Sequence, residues 1–202
     1  YFNSKGLNSI YCPLIDSFDM AIKEKQKNFI NDKSTLNILY TGNLSHFKAN
    51  IKSFLKIISS SVISENNNIV LNCLTGISKK DIKTTCYKGI KIEYFPYSIN
   101  KLNQLLSICD IGWVPNRYSI SFLLDNPFIK FLFTNCTQYL DKLFIEKFSA
   151  NAGRCILFAQ YGIPFLTNPN EESALLFGQL SNYLFYESND ELKYLFQKYN
   201  EI

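Results

Sequence analysis

Apolar positions along this chain follow two alternating rhythms. Short unbroken runs read as buried strands: Asn37-Ile38-Leu39-Tyr40-Thr41 ending at Gly42, Ile69 to Leu74, Ile90 to Phe95, Cys109 to Val114 closed by Pro115, Ile163 to Thr167, and Tyr183 to Tyr186. Between them apolar residues recur at helical spacing. Ile51 to Val62 puts Ile51, Phe54, Leu55, Ile58 and Val62 on one face, and Ser98 can cap a helix striped by Ile99, Leu102, Leu105 and Leu106. Asn151 to Tyr161 reads as a helix stopped by Gly162, Glu171 to Phe177 as one with two acids in its first turn, and Asn189 to Tyr199 as the last. A short helix capped by Ser78 is expected over Ser78 to Tyr87.

Strands alternating with helices of this length call for right-handed crossovers and a parallel sheet covered on both faces. The expected fold class is therefore α/β, a doubly wound, Rossmann-like parallel sheet flanked by helices. Residues 1–202 read as a single domain, with 1–33 a linker-like start. One stretch breaks the rhythm. After the Cys109–Val114 strand, an aromatic-rich segment at 116–149 occupies the place of a short loop. Asp125-Asn126-Pro127 opens a helix there, and Phe128, Ile129, Leu132, Cys136, Tyr139, Leu140 and Leu143 follow at helical spacing. A helical insertion packed on the core, or an apolar surface for a lipid-linked acceptor, partner domain or membrane, would account for it.

Composition narrows the chemistry. With 47% hydrophobic and 19% charged residues the chain is globular. Its net charge of +4 is spread too thinly for a nucleic-acid stripe, but it suits an anionic small ligand or membrane surface. Six cysteines without a CxxC pair read as reduced core residues of a cytoplasmic protein, and a lone histidine, His46, leaves no zinc site. No apolar run is long enough to cross a bilayer. The chain opens at Tyr1-Phe2-Asn3 with no initiator methionine, so it is expected to be part of a longer protein. Neither a G-x-G-x-x-G fingerprint, a P-loop nor a G-x-S-x-G elbow occurs.

In open parallel sheets ligands bind beyond the carboxyl ends of the strands. That rule selects the loops at Gly42 to Asn50, Gly76 to Ser78, Pro96 to Ser98 and Pro115 to Arg117, and the turn before the Asn151 helix. In the first, Gly42 lets backbone approach a ligand and Lys48 places a cation where a phosphate would meet exposed amides, although a tight strand–helix turn asks for glycine, and a helix start tolerates lysine, on structural grounds alone. Lys147 and Arg154, with Ser149 and Asn151 at the opening of their helix, could complete a diphosphate clamp. His46 lies in the first loop, either as a satisfied or exposed side chain or as a contact to a bound ligand.

Three segments together resemble the GT-B glycosyltransferases. Gly42, Leu44 and Lys48 match that family's spacing of glycine, arginine, leucine and lysine after the first strand of its C-terminal domain, with Asn43 in the arginine's place. Asn103 to Pro115, with Asp110-Ile111 inside it, is similar to the family's Asp-Ile stretch ending in Pro-Ser; Asp110 is structural there. Arg154 to Phe165 is similar to its helix-Gly-x-Pro stretch, and Asp16 and Asp19 resemble its interdomain turn. One departure is plain. The glutamate that holds the nucleotide ribose, five residues before the glycine, is Leu157 here. The resemblance covers roughly residues 9 to 200. It implies the nucleotide-sugar-binding half of a glycosyltransferase, with the donor held by Gly42, Asn43, His46, Lys48, Lys147, Ser149, Asn151 and Arg154. It implies no cofactor or metal, and an acceptor and base supplied by an N-terminal domain, so this half alone would be inactive. Because Leu157 and Asn43 depart from the pattern, a non-catalytic relative serving as an interaction module is the alternative.

Overall fold

A computed structural model describes residues 35–60, 68–78, 80, 82–116, 153–168, 171–180 and 185–198. The expected linker at 1–33, the insertion at 116–149 beyond its first residue, and Lys147, Ser149 and Asn151 lie outside them. The strands are β1 (Thr35–Gly42), β2 (Asn68–Thr75), β3 (Thr84–Tyr87), β4 (Ile90–Pro96), β5 (Ile111–Val114) and β6 (Phe165–Thr167). The helices are α1 (Leu44–Ile58), α2 (Ile99–Ile108), α3 (Gly153–Gln160), α4 (Glu171–Phe177), followed by a single 3-10 turn at Gly178–Leu180, and α5 (Asn189–Lys198).

All six strands form one sheet in the order β3-β4-β2-β1-β5-β6, parallel except for β3. From β1 the chain winds outward through β2 to β4 and then crosses to β5 on the other side. This order defines a doubly wound sheet, and its direction reverses between β1 and β5. Side-chain parity loads both faces. Leu36, Ile38 and Tyr40 of β1 join Phe47, Phe54 and Ile58 of α1 and Leu192, Leu195 and Phe196 of α5 in one core. Leu39 turns to the other, with Leu102, Leu105 and Leu106 of α2 and Cys155, Leu157 and Phe158 of α3. Phe54 stacks on Trp113 of β5 with ring centroids 4.0 Å apart at 13°, an arrangement worth about 0.5–1.5 kcal/mol beyond burial. Gly112 of β5 has no side chain because Phe158 lies across it; a Cβ there would come within 2.6 Å of the ring.

Two elements differ from the sequence expectation. Of the helix expected at Ser78 to Tyr87, the second half, Thr84–Tyr87, is instead β3, an exposed antiparallel edge strand. Lys88 and Gly89 take φ of 46° and 85°, the two-residue turn that matches the twist of a hairpin, and Thr84, Thr85 and Tyr87 favour extended backbone. The wholly parallel sheet thus acquires one antiparallel border. The helix expected from Ile51 begins seven residues earlier, because the Asn43 side chain accepts the Ser45 N–H at 2.8 Å and caps it there. Most of the supposed first loop is helix. The last expected strand reduces, among the described residues, to a bridge between Phe185 and Thr167. Gly162, at φ 62°, ends α3 as expected.

Candidate functional site

The turn after β1 and the first turn of α3 meet. Arg154, the second residue of α3, reaches over the carboxyl end of β1, and its Nη1 donates to the Thr41 carbonyl at 3.2 Å. Its Nη2 donates toward Asn116 Oδ1, just beyond β5, at 3.5 Å. One guanidinium therefore spans the two strands between which the sheet reverses. Gly42 makes room for it: at φ 150°, its absent Cβ would lie 2.8 Å from Nη1 and 3.0 Å from the Tyr40 hydroxyl. The close approach that glycine permits here is to the protein's own arginine. The Tyr40 hydroxyl in turn donates to the Asn43 carbonyl at 2.7 Å, fixing the turn from beneath.

Arg154 is half-buried, and its polar contacts among the described residues are these two neutral oxygens, with no carboxylate. A cation drawn partly out of water normally has a compensating partner. The chain holds nineteen lysines and only two arginines, and one of the two stands at this crossing.

The other expected site residues fall out as follows. Asn43 is exposed and spends its side-chain oxygen on the Ser45 amide and hydroxyl, both at 2.8 Å. Lys48 is exposed in the second turn of α1. His46 is buried at 6% exposure, and its carbonyl accepts from Asn50 Nδ2 at 2.9 Å. Leu157 is buried at 5% in the core beneath α3, where its side chain packs against hydrocarbon. Asp110 accepts the Asn37 N–H on Oδ2 at 2.9 Å and returns its own N–H to the Asn37 carbonyl at 2.8 Å, a structural clamp between β5 and β1.

The strand-end rule selected the Pro115 to Arg117 loop, but neither Asn116 by name nor its partners Thr167 and Asn168, which form a polar cluster beside Arg154. Asn116, 3% exposed, donates through Nδ2 to Thr167 Oγ1 at 2.9 Å and to the Asn168 carbonyl at 3.0 Å. Its own amide nitrogen donates to Asn168 Oδ1 at 3.3 Å. Thr167 Oγ1 donates to the Val114 carbonyl at 2.9 Å, and Asn168 Nδ2 to the Tyr186 carbonyl at 2.9 Å. Trp113 Nε1 donates to the Tyr186 hydroxyl at 3.2 Å. Besides that rule, the sequence signal was a polar residue soon after each apolar strand, Asn116 after Val114-Pro115 and Asn168 after Leu166-Thr167.

Among the described residues no group of three or more His, Cys, Asp or Glu could hold a metal ion, and no helix is long and apolar enough to cross a membrane. Burial pushes the Cys73 thiol, on β2, up to about 12, far from any reactive range. No protein-family model matches the sequence, and no curated protein matches it. Among solved structures the fold is similar to that of WaaG, described as a glycosyltransferase involved in lipopolysaccharide biosynthesis, at 14% sequence identity and a TM-score of 0.48. The match covers 90% of this chain and 40% of WaaG, so the chain spans well under half of that protein's length. The fold assignment rests on the strand order and the two loaded faces.

Proposed function

We propose that this chain is the donor-binding half of a glycosyltransferase that moves a sugar from a nucleoside-diphosphate carrier to an acceptor. The observation that carries the reading is the Arg154 guanidinium, half-buried at the sheet's reversal point with neutral acceptors alone among the described residues. A guanidinium is a planar fork of five N–H donors, suited to two oxygens of a diphosphate at once. Departure of the nucleotide leaves negative charge on the diphosphate, and a fixed cation with the positive end of α1 nearby stabilises that charge as it forms. In this reading Lys48, exposed on the second turn of α1, is a second cation for the diphosphate. The order of the three sequence segments supports the same reading.

With Leu157 in the core, the diphosphate rather than the ribose carries recognition. The acceptor, lipid-linked, polysaccharide or small, and the base come from the rest of the protein in this proposal. Cytoplasmic work at the inner membrane face belongs to the same proposal. A second reading, a relative that retains the architecture as an interaction module, draws on Leu157 and on the engagement of Asn43 as a helix cap.

Calorimetric titration of the chain with UDP, GDP and their sugar conjugates tests the proposal. Wild type is expected to bind at least one, Arg154→Ala to lose about tenfold or more, and Lys48→Ala to lose less. Silence from wild type toward every nucleotide leaves the module reading in possession.

A further inference from the structure

We infer that Asn116 is a positioning residue, whose locked side-chain amide holds the Arg154 guanidinium across the reversal point; the inference rests on the diphosphate reading above. Thr167 has one hydroxyl hydrogen and two carbonyls in reach of it, Val114 at 2.9 Å and Asn168 at 3.1 Å, so toward Asn116 its oxygen is left to accept. The Asn168 carbonyl can only accept. Both face the same atom of Asn116, which must therefore be the NH2 end. An amide turned the other way would set its oxygen against two acceptors in a site where Asn116 is 3% exposed. The oxygen is accordingly fixed toward Arg154 Nη2.

Asn168 closes the arrangement. It takes the Asn116 backbone N–H on Oδ1 and anchors its own NH2 on the Tyr186 carbonyl. The end of β5, the end of β6 and the segment before α5 are thereby stapled to one another, and the staple's free acceptor is the one offered to the guanidinium. An amide suits this place better than a carboxylate would. It orients the arginine by a hydrogen bond while leaving its positive charge available to an incoming anion, whereas a carboxylate would neutralise it.

The chain has two arginines, Arg117 and Arg154, so arginine-selective 15N labelling gives a simple guanidinium spectrum, assigned by Arg154→Met. Three readouts are taken on wild type, Asn116→Leu and Asn116→Asp: the Arg154 Nε–Hε signal, the affinity for inorganic pyrophosphate, and the melting temperature. In Asn116→Leu the Arg154 signal is expected to broaden or move to the solvent-averaged position, with pyrophosphate affinity down about tenfold. In Asn116→Asp the signal should stay sharp and shift, yet the affinity should fall at least as far, because the new carboxylate competes with the anion. Adding Asn116→Leu to Arg154→Met should change affinity no further, which a purely structural role for Asn116 would not produce.

An unchanged Arg154 signal in Asn116→Leu, or an affinity loss of the same size with and without Arg154, overturns the inference. Should Asn116→Leu fail to fold, Asn116→Asp decides: retained pyrophosphate affinity there refutes it. If wild type binds no pyrophosphate, the diphosphate reading fails, while the Arg154 signal still reports whether Asn116 holds the guanidinium.

Discussion

Replacing Gly42 with alanine should injure this fold twice, and the two injuries can be separated. The first is conformational: φ at Gly42 is 150°, where a side chain meets its own backbone, and holding a non-glycine residue in so sparse a region costs on the order of 1–3 kcal/mol. The second is local crowding. The new methyl would sit 2.8 Å from Arg154 Nη1 and 3.0 Å from the Tyr40 hydroxyl. Tyr40 is fully buried and bonded to the Asn43 carbonyl, so it cannot retreat. Arg154 can, but only by surrendering the Thr41 carbonyl, a charged hydrogen bond worth about 1–2 kcal/mol once its partial exposure is discounted. The sum is about 2–5 kcal/mol. Urea denaturation of wild type, Gly42→Ala, Arg154→Met and the double variant measures it. The glycine substitution should cost about 1–2 kcal/mol less in the Arg154→Met background, since the guanidinium is no longer there to be displaced. Equal costs in both backgrounds, or a Gly42→Ala midpoint indistinguishable from wild type, would refute the packing of Arg154 against this turn.

Three further outcomes are expected. Gly112→Ala drives a methyl to within 2.6 Å of the buried Phe158 ring, an overpacking that costs about 1–3 kcal/mol or more and lowers the melting temperature by roughly 2–4 °C for each kcal/mol in a chain of this size; an unaltered melting curve would contradict it. Glu191 accepts the backbone N–H groups of Glu187 and Ser188, which hold its carboxyl below the ordinary 4.5. Its folded value is the depressed one, so its contribution is present above the ordinary value and disappears as pH falls through the folded one. Glu191→Gln should consequently flatten the dependence of stability on pH below about 4.5, as followed by denaturation at stepped pH. With its thiol pushed up to about 12, Cys73 should resist iodoacetamide at pH 8 in the folded chain while exposed Cys86 is alkylated, as peptide mass mapping would report.

How far the sequence led depends on which force fixed each feature. The strands β1, β2 and β4 to β6 and the stripes of α1, α2 and α5 were legible because burial on a periodic backbone leaves its period in the residues. Leu36, Ile38 and Tyr40 alternate with Leu39, and Leu102, Leu105 and Leu106 recur by turns. The edge strand β3 left no such trace. All four of its residues are exposed, and what makes it a strand is the turn at Lys88-Gly89, which a reading keyed to buried periodicity passes over. The early start of α1 was hidden for a similar reason, since its decisive contact is one side-chain cap at Asn43. At the candidate site, Gly42 and Arg154 were both singled out, but the partners were not. Sequence order gave no hint that the glycine makes room for the arginine 112 positions later, or that Asn116 and Thr167 would close around each other. Those pairings are set by strand order, and strand order is a property of the whole sheet.

The antiparallel ribbon at one border has a consequence for how this molecule breathes. Among the described residues β3 takes its ladder pairing from β4 alone and all four of its residues are exposed, so its amides should exchange with solvent first. Excursions there stop at β4, which is itself paired along six residues of β2. Arg154 and Asn116 stand at the ends of β1 and β5, with β4 and β2 between them and β3. The domain can therefore fray along its rim while the ground under the guanidinium stays still.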